Sequence, residues 1–295
     1  MHGLLEAVPN FSEGRDQGLL DALVDAFGGG GARVLDVHAD ADHNRSVFTV
    51  VADPDSLVEG LAAAIALSTA RIDLTRHEGV HPRVGAADVV PFVRFRADDP
   101  RPEQAARALA RRIAMLGVPA VGYGDLGGGL RPAAFRAGGP ERLGERIASG
   151  EVTPLAGPDR PHATAGAVLL GVRPPLVAFN VDLDTDDVSV ARSVAARIRE
   201  RDGGLPGVQA LGLSVRGGAQ VSTNLIDIDA TPLHRVTSEI VRLAAEHGVG
   251  VRRGELVGLM PARVMAAAAG EVLLLPGLAA DRALEVAAHG EFGEG

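Results

Sequence analysis

The 295-residue chain has no cysteine, no tryptophan, no lysine and a single tyrosine. Without cysteine there is no disulfide framework, no thiolate nucleophile and no Cys-ligated zinc or iron–sulfur cluster. Without lysine there is no Schiff base, no pyridoxal-phosphate aldimine and no P-loop lysine. All 29 Lys+Arg positions are arginine. Proton transfer near neutral pH falls to 9 His and 38 Asp+Glu. Anion recognition falls to arginine, helix N-termini and backbone N–H groups. Long apolar runs are missing too: none approaches the ~20 residues of a membrane-spanning helix. The opening MHGLLEAVPNF has no charged-then-apolar signal pattern. The expectation is a cytoplasmic protein. Aromatics at 3% leave few platforms for stacking bases, and a net charge of −9 argues against nucleic acid or an anionic membrane as partner.

What is present is an ordinary globular composition, 46% hydrophobic, of a length that suggests two domains or two halves of one. Strands are expected at 4–8, 33–37, 46–51 and 89–95. The apolar positions Leu19, Leu20, Leu23, Val24 and Phe27 fall at helical spacing, and so do Leu57, Leu61 and Ile65. Asp53-Pro54 is a cap followed by proline at the first helical position. The second half gives nearly the same order. Strands are expected at 176–181, 208–215, 220–226 and 256–260. Helix faces are marked by Val190, Val194 and Ile198, then by Leu233, Val236, Ile240 and Leu243. Thr231-Pro232 reads as a second cap-then-proline. A helix at 103–116 and a strand at 119–123 extend the first half. Each half therefore reads β-α-β-β-α-β. The expected fold class is α/β (α+β): two similar split βαβ (ferredoxin-like) subdomains, 1–175 and 176–295, with a ligand cleft between them. Asn10 and Asn180 occupy matching places near the ends of the two first strands.

The densest polar cluster is Arg76-His77-Glu78-Gly79-Val80-His81-Pro82-Arg83-Val84-Gly85, followed by Asp88. His77-Glu78-x-x-His81 matches the H-E-x-x-H zinc signature, which works only on a continuous helix. Gly79 inside the motif and Pro82 after it argue against that helix. A loop holding two His, two Arg and two Gly ahead of an apolar strand reads instead as a catalytic loop. The alternative is that the two histidines only satisfy local hydrogen bonds. A second cluster is Asp36, His38, Asp40, Asp42, His43, Asn44 and Arg45. It lacks the full twelve-residue calcium loop, and otherwise reads as a solvated turn. The Gly/Pro-bounded stretch 157–166 reads from composition as a linker between the halves. GDLGGG at 124–129 has neither P-loop nor Rossmann spacing.

Several of these segments resemble the glutamate formimidoyltransferase family, the transferase half of the bifunctional formimidoyltransferase-cyclodeaminases. They are Val8-Pro9-Asn10-Phe11-Ser12-Glu13-Gly14, then Asp40-x-Asp42-His43-Asn44-Arg45-Ser46-Val47, then His77-x-Gly79-x-His81-Pro82-Arg83-x-Gly85-Ala86-x-Asp88-Val89-x-Pro91-Phe92. Ala178-Phe179-Asn180, Gln220-Val221-Ser222-Thr223-Asn224-Leu225 and Leu256-Val257-Gly258-Leu259 add to it. The resemblance spans essentially the whole chain and leaves no residues for a cyclodeaminase half. It implies transfer of a formimidoyl group from N-formimidoyl-glutamate to tetrahydrofolate, a step of histidine breakdown and one-carbon metabolism. It implies a cytoplasmic homodimer with folate between two α/β subdomains, tetrahydrofolate as co-substrate, and no metal.

By the same resemblance the catalytic histidine falls on His81. The folate-binding stretch falls on Gly157, Pro158, Asp159, Arg160, Pro161, His162, Ala163, Thr164, Ala165 and Gly166. Substrate-binding candidates are His38, Asp40, Asn44, Arg45, His77, Arg83 and Asp88. Arg45, Arg83 and Arg160 are the candidates for carboxylate pairing, since both substrates are anionic and the chain is net negative. The position of His38 is more often acidic in the family, so a support for the catalytic imidazole would pass here to Asp40 or Asp36. The folate stretch has no aromatic residue to stack on a pterin. Two other readings are carried: a folate-dependent transferase with a different donor or acceptor, and a non-catalytic module that binds a small regulator.

Overall fold

The computed structural model describes residues 3–79, 82–215, 217–283 and 286. His81, the expected catalytic residue, lies outside them. The chain divides into two compact units, Met1–Pro174 and Pro175–Gly295.

The first unit opens with β1 (Leu5–Ala7), β2 (Asn10–Phe11), α1 (Gln17–Gly29), β3 (Arg33–Asp40), β4 (Arg45–Ala52), α2 (Pro54–Arg71) and β5 (Ala87–Val93). Strands β1 and β2 lie side by side along the chain, both between β4 and β5, and β3 pairs with β4 on the far side. All these pairs are antiparallel, the split βαβ arrangement. The unit continues with α3 (Arg101–Ala114), β6 (Ala120–Gly124), α4 (Pro132–Arg136), α5 (Gly139–Ala148) and β7 (Val168–Arg173). Strand β7 pairs in parallel with β5 and β6 in parallel with β7, which makes a seven-stranded sheet.

Local chemistry explains the helix starts. Asp16 caps α1 by accepting the Leu19 N–H at 3.1 Å. Asp53 caps α2 by accepting from Asp55 and Ser56 N–H at 3.2 and 3.1 Å, with Pro54 at the first position. Helices α1 to α3 bury one face each against one face of the sheet, where Leu23, Phe27, Leu61, Ile65, Leu109 and Ile113 are fully enclosed. Phe11, Phe27 and Phe48 meet there at ring separations of 5.5–6.1 Å. Each such pairing adds roughly 0.5–1.5 kcal/mol beyond burial. On the opposite face, Phe135, Leu143 and Ile147 of α4 and α5 cover Val89, Val121 and Leu169. Arg45 and Thr49 of β4 lie on that face beside Val47 and Val51, because alternate residues of a strand share a side.

The second unit runs β8 (Val177–Leu183), α6 (Val188–Ile198), β9 (Val208–Val215), β10 (Gly218–Leu225), α7 (Leu233–Glu246), β11 (Val251–Val257) and α8 (Ala262–Val272). Its sheet order is β11-β8-β10-β9, antiparallel throughout. This is the spatial order of the first four strand positions of the other unit. Val181, Val194, Ile198, Val221, Val236 and Ile240 form its core.

Four local expectations differ from the structure. The strand expected at 4–8 is shorter, Leu5–Ala7, and pairing resumes at Asn10–Phe11 after Pro9, which has no N–H to donate. Its carbonyl accepts from Phe48 while the Val8 N–H reaches Pro91 O, both at 3.0 Å. The last strand begins five residues earlier than the apolar run 256–260 indicates, and Gly258 ends it in a positive-φ conformation. Its polar start is anchored by Arg253, whose Nε donates to Asp182 at 2.7 Å. Thr231 does not cap α7; its buried hydroxyl donates to Pro206 O at 2.7 Å and pins the preceding turn. Finally, 157–166 is no linker between the units. It belongs to the first unit and leads into β7, an interior strand absent from the sequence reading, as are α4, α5 and α8.

Candidate functional site

The candidate residues of the first unit lie on strands β3 to β5 and in the loops beside them. On β3, Asp36, His38 and Asp40 share a half-buried side. His38 stands opposite Val47 and Asp40 opposite Arg45 in the β3–β4 ladder. Val47 in turn faces Asn10. The half-buried Arg45 donates to Asn10 Oδ1. Its guanidinium pKa is pushed down to about 10 by burial and by neighbouring Arg136, with Asp88 opposing.

Asp40 organises the β3–β4 turn. Its Oδ1 accepts the N–H groups of Asp42 and His43 at 2.8 and 2.9 Å, and its Oδ2 lies 2.9 Å from His43 Nδ1. Burial pushes its carboxyl up, yet the bonds from His43 outweigh this and hold it well below the usual carboxylate range. Asn44 completes the turn with φ 46°, in the left-handed region that asparagine tolerates. Its Oδ1 accepts from Gly14 N–H at 3.0 Å, and its Nδ2 donates to Glu78 O at 2.9 Å. One side chain thus ties together three segments that are remote in sequence.

The described residues of 72–86 follow α2 without helical structure, so His77-Glu78-Gly79 is not on the continuous helix that H-E-x-x-H zinc chemistry needs. Among the described residues no group of three or more His, Asp or Glu is placed to hold a metal ion. Arg83 clamps this loop to the turn. Its Nη2 donates to His43 O at 2.9 Å and its Nη1 to Asn44 O at 3.1 Å. The same Nη1 lies 2.6 and 2.9 Å from Nδ1 and Nε2 of His77. Burial and the Arg83 charge hold the His77 imidazole below its ordinary pKa, which favours the neutral ring as acceptor. Gly79 fits beneath this clamp only for lack of a side chain: a Cβ would overlap His43 O and stand 3.0 Å from Asn44 Cβ.

The 157–166 stretch is joined to the same region. It folds on itself through His162 N–H to Gly166 O at 2.7 Å and Gly166 N–H to His162 O at 2.9 Å. His162 Nδ1 accepts from Ala165 N–H at 3.1 Å. Ala86 N–H reaches Ala165 O and Ala167 N–H reaches Val84 O, both at 2.9 Å, and Leu74 N–H reaches Thr164 O at 2.8 Å. Gly166 adopts φ +69°, and a Cβ there would overlap Val84 O. The two stretches that the family resemblance singles out are therefore neighbours through backbone bonds. Arg160 is exposed at the outer part of this loop.

Asp88 is buried at 2% exposure and faces inward. It accepts from Val84 N–H at 2.8 Å and from Arg136 Nη2 at 2.6 Å. Sequence reasoning gave no role to Arg136, Ser12 or Glu13. Ser12 Oγ donates to Gly85 O at 2.8 Å, and Glu13 Oε1 accepts from Gly14, Arg15 and Asp16 N–H at 2.7–2.9 Å. Glu13 is legible as an acidic residue at a turn before a helix. Arg136 carries no local signal, because its partner is 48 residues away.

Residues 4–173 match the family model described as "Formiminotransferase domain, N-terminal subdomain", and residues 178–273 match "Formiminotransferase domain". The chain belongs to the formiminotransferase family. Relatives within it include a protein named glutamate formimidoyltransferase from Streptococcus pyogenes, 38% identical with 90% of this chain and 91% of that one covered. One of the same name from Thermoplasma acidophilum is 38% identical with 96% of both chains covered. A formimidoyltransferase-cyclodeaminase from Sus scrofa is 38% identical over 91% of this chain but 52% of its own length. The chain thus spans about half of that bifunctional relative. Within this formiminotransferase chain, no helix of the described residues is long and apolar enough to cross a membrane.

Proposed function

We infer that this protein transfers the formimidoyl group of N-formimidoyl-L-glutamate to tetrahydrofolate. The observation that carries the reading is 38% identity, over nine-tenths or more of both chains, to relatives named for that activity. The local architecture of the first unit supports it. A ring nitrogen of the pterin attacks the formimidoyl carbon, giving a tetrahedral intermediate that expels glutamate. One proton must leave the attacking nitrogen and one must reach the departing nitrogen. We assign both transfers to His81, acting as general base and then general acid, a role worth roughly 10²–10⁴-fold in rate. The described residues on either side of it are braced by Asn44, Arg83 and the Gly79 contact, which suits a group that must be held in place.

In this reading Gly157–Gly166 borders the folate, while His38, Asp40, Asn44, Arg45, His77, Arg83 and Asp88 shape or line the donor site. The bonds described above support a positioning part for Asp40, Asn44 and Arg83. Tetrahydrofolate enters as co-substrate, and no step is assigned to a metal. The enzyme is taken to act in the cytoplasm, as a homodimer, in histidine degradation and one-carbon metabolism. The test is turnover by the purified protein with tetrahydrofolate and a panel of N-formimidoyl and N-formyl amino acids. Consumption of N-formimidoyl-glutamate ahead of the others is expected. If no donor is consumed, or another is preferred, the reading is wrong.

A further inference from the structure

Arg136 ends the short helix α4, and its side chain turns inward to Asp88 at the start of β5. The carboxylate is 2% exposed and the arginine side chain 14%. Only Nη2 of the guanidinium is engaged by Asp88. The Nε–H is buried and has no hydrogen-bond partner among the described residues. A buried charged donor left without an acceptor is costly, and such groups call for an explanation.

The surroundings sharpen the point. Arg45 and Arg83 lie within electrostatic reach of Arg136, and Arg45 is pushed down to about 10 by burial and by that neighbour. Asp88 and Asp40 oppose the neighbouring cations at Arg45, and Arg15 adds to the positive charge felt by Arg83. Asp40 is already occupied by His43 and the turn N–H groups. Tyr123, the one tyrosine, also senses Arg136, but burial pushes its phenol up to about 12, so it brings no charge at neutral pH. The guanidiniums around Arg136 therefore outnumber the carboxylates that oppose them. Desolvated charge of this kind is stabilised by an anion that completes it. The location fits a substrate: the Asp88 that holds Arg136 also holds Val84, three residues after His81.

We propose that Arg136 is a donor-specificity residue, offering its Nε–H and charge to one carboxylate of the formimidoyl donor, with Asp88 fixing the guanidinium beforehand. This rests on the function inferred above and goes further by naming the residue that recognises the glutamate part.

The experiment titrates glutarate and L-glutamate into the full chain without folate, and measures KM for N-formimidoyl-glutamate and for tetrahydrofolate. Wild type, Arg136→Lys and Arg136→Gln are compared, with thermal denaturation confirming that each is folded. Lysine keeps the charge and the ion pair with Asp88 but loses the Nε–H and the planar fork. Glutarate affinity is expected to fall about tenfold in Arg136→Lys and roughly 50–100-fold in Arg136→Gln, from the cost of losing a charge-assisted hydrogen bond. Donor KM should rise in parallel, while KM for tetrahydrofolate stays within threefold. A merely structural ion pair predicts no such split between the two substrates. If wild type turns over the donor but glutarate affinity and donor KM are unchanged in the folded variants, the proposal fails. The same holds if both KM values rise together. If wild type consumes no N-formimidoyl-glutamate yet binds glutarate in an Arg136-dependent way, the assigned function fails and the carboxylate subsite stands.

Discussion

Replacing Asn44 measures how much one side chain contributes to holding the loops on either side of His81. The residue is 7% exposed, sits at φ 46°, and bridges Gly14 N–H and Glu78 O. Asn44→Ala removes two hydrogen bonds, at about 1 kcal/mol each. It also asks alanine to adopt a left-handed conformation, at roughly 1 kcal/mol. The sum is about 3 kcal/mol, which for a unit of this size lowers Tm by roughly 6–12 °C. Asn44→Gly loses the same bonds without the conformational strain, so its fall is expected to be smaller, about 4–8 °C. Asn44→Asp keeps an acceptor for Gly14 but sets a carboxylate against the Glu78 carbonyl, and should resemble the alanine variant. Calorimetry of the three variants gives the order, and turnover should fall about tenfold or more in Asn44→Ala as the loop loses its register. Glycine less stable than alanine, or both within 1 °C of wild type, would refute the reasoning.

Three further outcomes are expected. His81→Ala should lower kcat by roughly 10²–10⁴-fold while equilibrium binding of tetrahydrofolate persists; unchanged turnover would remove His81 from the chemistry. Gly79→Ala places a Cβ against His43 O and beside Asn44 Cβ, so the loop must shift and kcat/KM should fall about tenfold or more; a wild-type value would show that the contact yields freely. His77 is held below the ordinary imidazole value of 6.5 by burial and Arg83. A group with a depressed folded pKa contributes stability that is present above its unfolded value and is lost as the pH falls through its folded value. Stability should therefore decline below about pH 6.5, and less steeply in His77→Gln; identical pH profiles for the two proteins would refute the assignment.

Much of the fold is readable where a residue acts locally. Asp53-Pro54 announces the start of α2, and the spacing of Val190, Val194 and Ile198 announces the buried face of α6, because caps and periodicity are properties of short segments. The second unit, a plain split βαβ, follows from such signals except at its edges. Thr231 fails as a cap because Pro206, distant in sequence, competes for its hydroxyl. Strand β11 is misplaced because Arg252, Arg253 and Glu255 hide its start, and their partners Asp184, Asp182 and Asn180 belong to another part of the chain. Strand β7 is missed for a related reason: its apolar run follows a Gly/Pro-rich stretch that reads as a linker, and only pairing with β5 and β6 shows it to be interior. The loop 76–88 is conspicuous from its density of His, Arg and Gly. The work of its individual members is not, since Asn44, Arg83 and Asp88 act on partners 30 to 48 residues away.

Comparing the two units locates the specialised chemistry. Both place four strand positions in the same order with two helices on one face, and both set an asparagine, Asn10 or Asn180, in the first strand position. The connection from the second helix to the fourth strand position differs sharply. In the second unit it is residues 247–250, a short turn of ordinary length. In the first it is residues 72–86, long enough to be unusual unless it has work to do. This inserted chain carries His77, Gly79, His81 and Arg83, and it is the one that needs Asn44, Ser12 and Asp88 as ties. A loop gains positional accuracy only through such bonds. The repeat therefore supplies the rigid sheet, and the departure from the repeat supplies the reactive loop. For that reason side chains bonded to the inserted segment, not those of the common core, are where substitution should lower activity in a protein that still folds.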